Sequence, residues 1–242
     1  MEIFENWGDI DGGLWVLSRY GHVLFGITWI GLLYFFNVVQ VPAFAELTDS
    51  ARSEAQRTVT WRALWWFRWA ALATFLTGAI MLGIAGDDFA FDRGRGSAIY
   101  MGVLLAVTMF LNVWGVIWRM QKIVIRAIGS EADRRTAAKR AGRASRVNTF
   151  FSIPMLFFMV FAAHFADRYG DIGELDSGRV IGAWVVLVVI WAFAEASALG
   201  LIGGLDSPFN KLVFDDHRNT IVAGIIYWLI MLFIGWELII GS

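Results

Sequence analysis

Apolar residues run along this chain in six long blocks, at about 14–44, 61–86, 97–120, 148–166, 179–202 and 219–240, with polar stretches between them. A helix crosses a bilayer with about 20 such residues. The pattern therefore predicts an all-α polytopic membrane helix bundle of about six transmembrane helices, forming a single integral membrane domain over 1–242. Its first partner is the lipid bilayer itself. Ser130 to Arg143 reads as a further polar helix that continues or follows the third block.

Composition strengthens this reading. Of the 242 residues, 58% are hydrophobic and only 17% charged, against about a quarter in soluble domains. Mean hydropathy is +0.60. The 13 Trp and 20 Phe are residues that interfacial belts and lipid-facing surfaces use. There is no cysteine, which excludes disulfides, thiolate metal sites, iron–sulfur clusters and a covalently attached C-x-x-C-H haem.

The net charge of −1 hides an uneven distribution. Nine Lys/Arg fall between Arg119 and Arg146, and Arg52 and Arg57 follow the first block. The positive-inside rule makes both connections cytoplasmic, including the basic loop 121–147. The connections at 87–96 and 167–178 are rich in Asp and Glu and belong outside. Six spans then put the N- and C-termini on the outer, periplasmic side. This matches the acidic N-terminus MEIFENWGDIDGG, which lacks the basic region of a signal peptide. The expected location is the bacterial inner (cytoplasmic) membrane, as a multi-pass protein. No nucleic-acid partner is expected.

Polar residues inside spans are functional candidates by default. His22 lies roughly 10 Å inside the outer end of the first span at 1.5 Å per residue, between Gly21 and Gly26. Gly26 follows it by four residues on the same face, and glycine keeps the helix surface low for a flat ligand. His164 lies near the outer end of the fourth span. Two histidines at similar depth suit the axial positions of one haem b, since neutral imidazole donates to iron without bringing charge into lipid. The other reading is two unrelated histidines hydrogen-bonded in a helical core. Arg19 and Arg168 stand just outside His22 and His164 and could pair with haem propionates, or are ordinary interfacial residues. Arg68 and Glu195 lie at matching depths near the inner ends of the second and fifth spans. They read as a structural ion pair, or as a proton- or quinone-related polar site. His217 falls in an inner loop, away from the other two. Pro154 predicts a kink in the fourth span.

Three stretches carry a resemblance: GHVLFGITWIGLLYFFNVVQVPAF, WRALWWFRWAALATFLTGAIML and IPMLFFMVFAAH. They resemble the urate oxidase N-terminal (membrane) domain of bacterial membrane-bound urate-oxidising proteins. In full-length members a c-type cytochrome domain follows, and the expectation for this cysteine-free chain is a member lacking it. The surroundings of His22 also resemble the membrane protoporphyrinogen oxidase family. Both likenesses imply a porphyrin near His22.

Two functions follow as expectations. One is a membrane-integral b-type haem protein in electron transfer or small-molecule oxidation. It would exchange electrons with a periplasmic cytochrome c or a larger membrane complex. The other is a cofactor-free accessory subunit of a respiratory or photosynthetic assembly.

Overall fold

The computed structural model describes residues 6–91, 94–165 and 177–240. Among them there is no strand. Six helices are each long and apolar enough to cross a membrane: α1 (Gly13–Ala45), α2 (Asp49–Ala85), α3 (Gly94–Ile125), α4 (Glu131–His164), α5 (Gly178–Ala198) and α6 (His217–Glu237). This is the make-up of a multi-pass membrane protein, as the hydropathy pattern predicts.

The helices differ in extent from the apolar blocks for identifiable reasons. α2 starts twelve residues before its block because Thr48 caps it, its hydroxyl accepting from the Ala51 N–H at 3.4 Å, and nothing in DSARSEAQRT breaks a helix. Its 37 residues exceed the ~20 that a bilayer requires, so its polar first turns extend beyond the apolar region. Most of the basic stretch is likewise helical. α3 reaches Ile125 and α4 begins at Glu131, so the polar helix belongs to the fourth span rather than the third. At α5 the order reverses. The apolar run continues through Leu201 and Ile202, but the helix stops at Ala198 because Gly200, Gly203 and Gly204 take φ of +80°, +66° and +75°. Only glycine adopts that conformation cheaply.

The chain divides into two compact units, one comprising residues 1–86 and 110–141, the other 87–109 and 142–242. In the first, α1 and α2 pair side by side. Phe36 meets Phe67 edge-on at 5.4 Å, and Thr60 donates to Gln40 Oε1 at 3.2 Å. The end of α3 packs on α2 through Phe75–Phe110, stacked at 4.8 Å, Trp69–Trp114 at 5.5 Å and Trp61–Trp118 at 5.1 Å. Wider π-helical turns interrupt this unit at Phe35–Gln40, Gln56–Thr60 and Val113–Ile117, a feature often found near functional sites.

The second unit is built around α4, whose Val147, Asn148, Phe151, Ser152 and Phe158 are completely enclosed. Two glycines permit this. A Cβ on Gly102 of α3 would lie 3.2 Å from the Phe158 Cβ, and one on Gly224 of α6 would meet the Phe150 carbonyl oxygen at 2.9 Å. Side-chain donors then tie helix to helix. Asn148 donates to the Met109 carbonyl at 2.9 Å, Trp184 to Ser97 at 3.0 Å, Trp191 to Thr108 at 2.9 Å and Tyr227 to the Leu187 carbonyl at 2.8 Å. In lipid such bonds replace the water that the groups would otherwise lack.

Candidate functional site

The first unit holds an arrangement with the chemistry of a ligand site, and it begins with small residues. Thr74, Thr77 and Gly78 of α2 lie in the run TFLTG, opposite Gly21, His22 and Gly26 of α1. A Cβ on Gly21 would stand 3.4 Å from the Thr77 methyl, and one on Gly26 would stand 3.9 Å from the Thr74 methyl. The low surface around Gly26 is thus turned to α2. Small residues on both faces let the two backbones approach.

That approach brings the His22 ring onto α2. Its Nδ1 lies 2.9 Å from the Thr74 carbonyl oxygen and 3.4 Å from the Thr77 hydroxyl. A Cβ on Gly78 would stand 3.0 Å from the His22 Cε1 and 3.3 Å from Nδ1, so glycine makes the place where the ring lies. A carbonyl oxygen only accepts, so Nδ1 carries the proton and donates it to Thr74. In the neutral ring Nε2 then holds the lone pair. This is how metal-binding histidines are commonly set, with one nitrogen anchored to a carbonyl and the other free to ligate. Among the described residues no protein group is hydrogen-bonded to Nε2. The half-buried ring is oriented before any ligand arrives.

Arg19 precedes His22 by three residues, on the same side of α1, and is exposed. With Asp11, Trp15, Tyr20 and Val23 it borders an open, mostly apolar depression of about 290 Å³. His164 is exposed in the last turn of α4, in the second unit. Arg168 lies outside the described residues. His217, part-buried, follows the Asp216 cap of α6. No group of three or more His, Asp or Glu placed to hold a metal ion occurs among the described residues.

Arg68 sits in a setting that its charge alone does not announce. Its guanidinium carbon lies 3.7 Å from the ring centre of Trp118 and 5.6 Å from those of Trp69 and Trp114. Nε makes no hydrogen bond among the described residues. Glu195 stands half-buried on α5, in the second unit.

Two arginines of the basic stretch are buried rather than solvated. Arg143 donates to the Asn210 carbonyl at 2.7 Å and pairs with Asp215 at 2.6 Å. Arg146 donates to the carbonyls of Phe214 and Asp215 at 3.0 and 2.7 Å. Asn210 in turn donates to the Ser197 carbonyl at 2.7 Å. These contacts pin the connection between α5 and α6, which includes the short helix Pro208–Val213, and their role is structural.

Comparison with known proteins adds one finding. Residues 89–197 match the urate oxidase N-terminal family. The match covers less than half of the chain, running from just after α2 to the last turn of α5. It therefore takes in His164 and Glu195 and leaves out the α1–α2 pair that carries His22, Arg19 and Arg68. Neither a curated relative nor a solved structure matches the chain.

Sequence reasoning found His22 but not its anchor. The signal was present in TFLTG, where Thr74 and Gly78 are four apart on the face that meets α1. It is weak, because Thr and Gly at that spacing are common wherever membrane helices pack.

Proposed function

We propose that this chain is a membrane-integral redox protein that holds a b-type haem at His22 and passes electrons between a small reduced donor and an acceptor protein. The observation that carries the proposal is the hydrogen bond from the His22 Nδ1 to the Thr74 carbonyl at 2.9 Å, which leaves the Nε2 lone pair available to a metal. The donor set fits the group. An imidazole with one nitrogen anchored suits haem iron, the exposed Arg19 suits a propionate, and with no cysteine in the chain attachment would be non-covalent. When bound, the haem would supply a one-electron carrier.

The protein's own residues then have distinct tasks. His22 ligates, Thr74 fixes its tautomer and direction, and Gly78 keeps the ring against α2. Arg19 balances carboxylate charge at the end of the helix. The family matched by residues 89–197 makes a purine such as urate the first donor to try, and a periplasmic cytochrome c the first acceptor.

The test is the absorption spectrum of detergent-purified protein, air-oxidised and dithionite-reduced, before and after incubation with haemin. The expected result is a Soret band with a reduced b-type band. Absence of both after reconstitution would overturn the proposal.

A further inference from the structure

In the first unit, the face where the middle of α2 meets the last turns of α3 carries a ladder of cations on paired indoles. Trp61 and Trp118 lie 5.1 Å apart, centre to centre. Arg68 covers Trp118 at 3.7 Å, Lys122 approaches the same ring at 5.7 Å, and Arg126 covers Trp61 at 4.9 Å. From Arg68 to Trp61 is seven residues of α2, or roughly 10 Å at 1.5 Å per residue. The ladder thus spans about two turns in the middle of α2 and ends beside the terminus of α3.

We propose that this face is a binding site for the headgroup of an anionic phospholipid. Charge balance is the first argument. Arg68, Lys122 and Arg126 have no carboxylate partner among the described residues, and the indoles satisfy only part of what each cation needs. A ring face attracts a guanidinium through its quadrupole but accepts no N–H hydrogen bond in the guanidinium plane. The buried Arg68 Nε is left without an acceptor. A phosphodiester supplies both a negative charge and several acceptor oxygens at one point.

Placement is the second argument. α3 ends at Ile125, so Lys122 and Arg126 occupy its terminus, where a headgroup would lie if α3 spans the bilayer. Trp65 and Trp66, 46% and 60% exposed, flank the ladder on α2, and tryptophan favours the headgroup level. The acyl chains would then run along the exposed apolar surface of α2. Cations near a membrane surface attract anionic lipid. Here the paired indoles fix their positions, which turns a diffuse attraction into a site.

The test uses the wild-type protein and a Lys122→Gln/Arg126→Gln variant, which leaves the more deeply placed Arg68 intact. Both are reconstituted in vesicles of phosphatidylcholine containing brominated phosphatidylglycerol or brominated phosphatidylcholine, and tryptophan quenching is measured. The wild type is expected to prefer phosphatidylglycerol, and the preference to fall by about fivefold for each cation removed. Adding inorganic phosphate at equal concentration should leave the wild-type preference unchanged, which separates a lipid site from a site for the free anion. Equal quenching by the two lipids in the wild type would overturn the proposal. So would a preference that persists in a folded double variant, or one abolished by inorganic phosphate. A second variant, Trp61→Leu, removes the ring under Arg126 without changing charge. It should weaken the preference if the paired indoles position the cations, and no change would reduce the site to general surface charge and contradict the proposal.

Discussion

In the second unit, 61% of the apolar window of α4 is buried, whereas in the first unit α1 and α2 are each 22% buried. The second unit is closed by enclosed aromatics, by glycines that admit a neighbouring backbone, and by side chains that donate across helices. The first pairs α1 with α2 through small residues, with the end of α3 packed on α2 and one histidine laid across the α1–α2 joint. Packing density and chemistry are thus separated along the chain. The most enclosed helix is α4, and the His22 imidazole stands in the unit whose helices are less covered. Residues 89–197, which match the urate oxidase N-terminal family, contain all of α4 and so include the dense part.

The contrast is broken most directly at glycine. Gly224→Leu would drive side-chain atoms into the Phe150 backbone, 2.9 Å from a Cβ. It is expected to cost more than about 3 kcal/mol, at the upper end of overpacking effects, and to abolish folded protein in a detergent melt. The matched control lies in the first unit. Gly83→Ala meets nothing within 4 Å and should be neutral or stabilising by up to about 1 kcal/mol.

Next in size is the clamp on the α5–α6 connection. Arg143→Met removes a side chain that is 3% exposed and leaves Asp215, which is 55% exposed, without its partner. Breaking a fully buried pair costs about 3–5 kcal/mol. With one partner half in solvent, about 2 kcal/mol is expected. Limited proteolysis should show the change as faster cleavage around 199–216, with the α1–α2 pair unaffected.

Gly78→Ala sharpens the comparison within the first unit. The added methyl would stand 3.0 Å from the His22 Cε1, so the ring must shift from its place over Thr74. A stability loss of about 1 kcal/mol or less is expected, together with a larger functional change, weakened haem retention on gel filtration. Undiminished retention would show that the ring's placement is not what holds the group.

The smallest expected effect depends on pH. Asp216 caps α6, its carboxylate accepting from the Arg218 N–H at 2.6 Å and the Asn219 N–H at 3.4 Å. The Arg218 N–H holds its pKa below the ordinary 3.8. A lowered carboxylate pKa contributes stability above the ordinary value, and that contribution is lost as pH falls through the folded-state value. Asp216→Ala should cost about 1 kcal/mol at neutral pH, and the difference from wild type should shrink only below about pH 4.

The sequence made the architecture readable because crossing a bilayer imposes long apolar runs, and each of the six runs contains a membrane-length helix. The helix ends were less readable. They depend on the Thr48 cap and on the left-handed glycines after Ala198, which act locally and leave hydropathy almost unchanged. His22 was legible as a polar residue in an apolar helix. Its orientation was not, because Thr74 contributes a backbone carbonyl, which every residue has. Arg143 and Arg146 show the opposite limit. A basic run reads as solvated, and nothing local reveals that two of its members turn inward to carbonyls of residues more than 60 positions away. Arg68 was legible as a charge in need of a partner, but the indoles of Trp114 and Trp118 come from another helix and carry no charge to match by depth.

On the proposed function the ligand nitrogen belongs to His22, in the lightly covered unit. The measurement is haem content per chain, by pyridine haemochrome assay, in wild type, His22→Ala and His164→Ala reconstituted alike. Haem is expected in the wild type and in His164→Ala, with its loss in a folded His22→Ala. Full haem content in His22→Ala, or loss confined to His164→Ala, would contradict it.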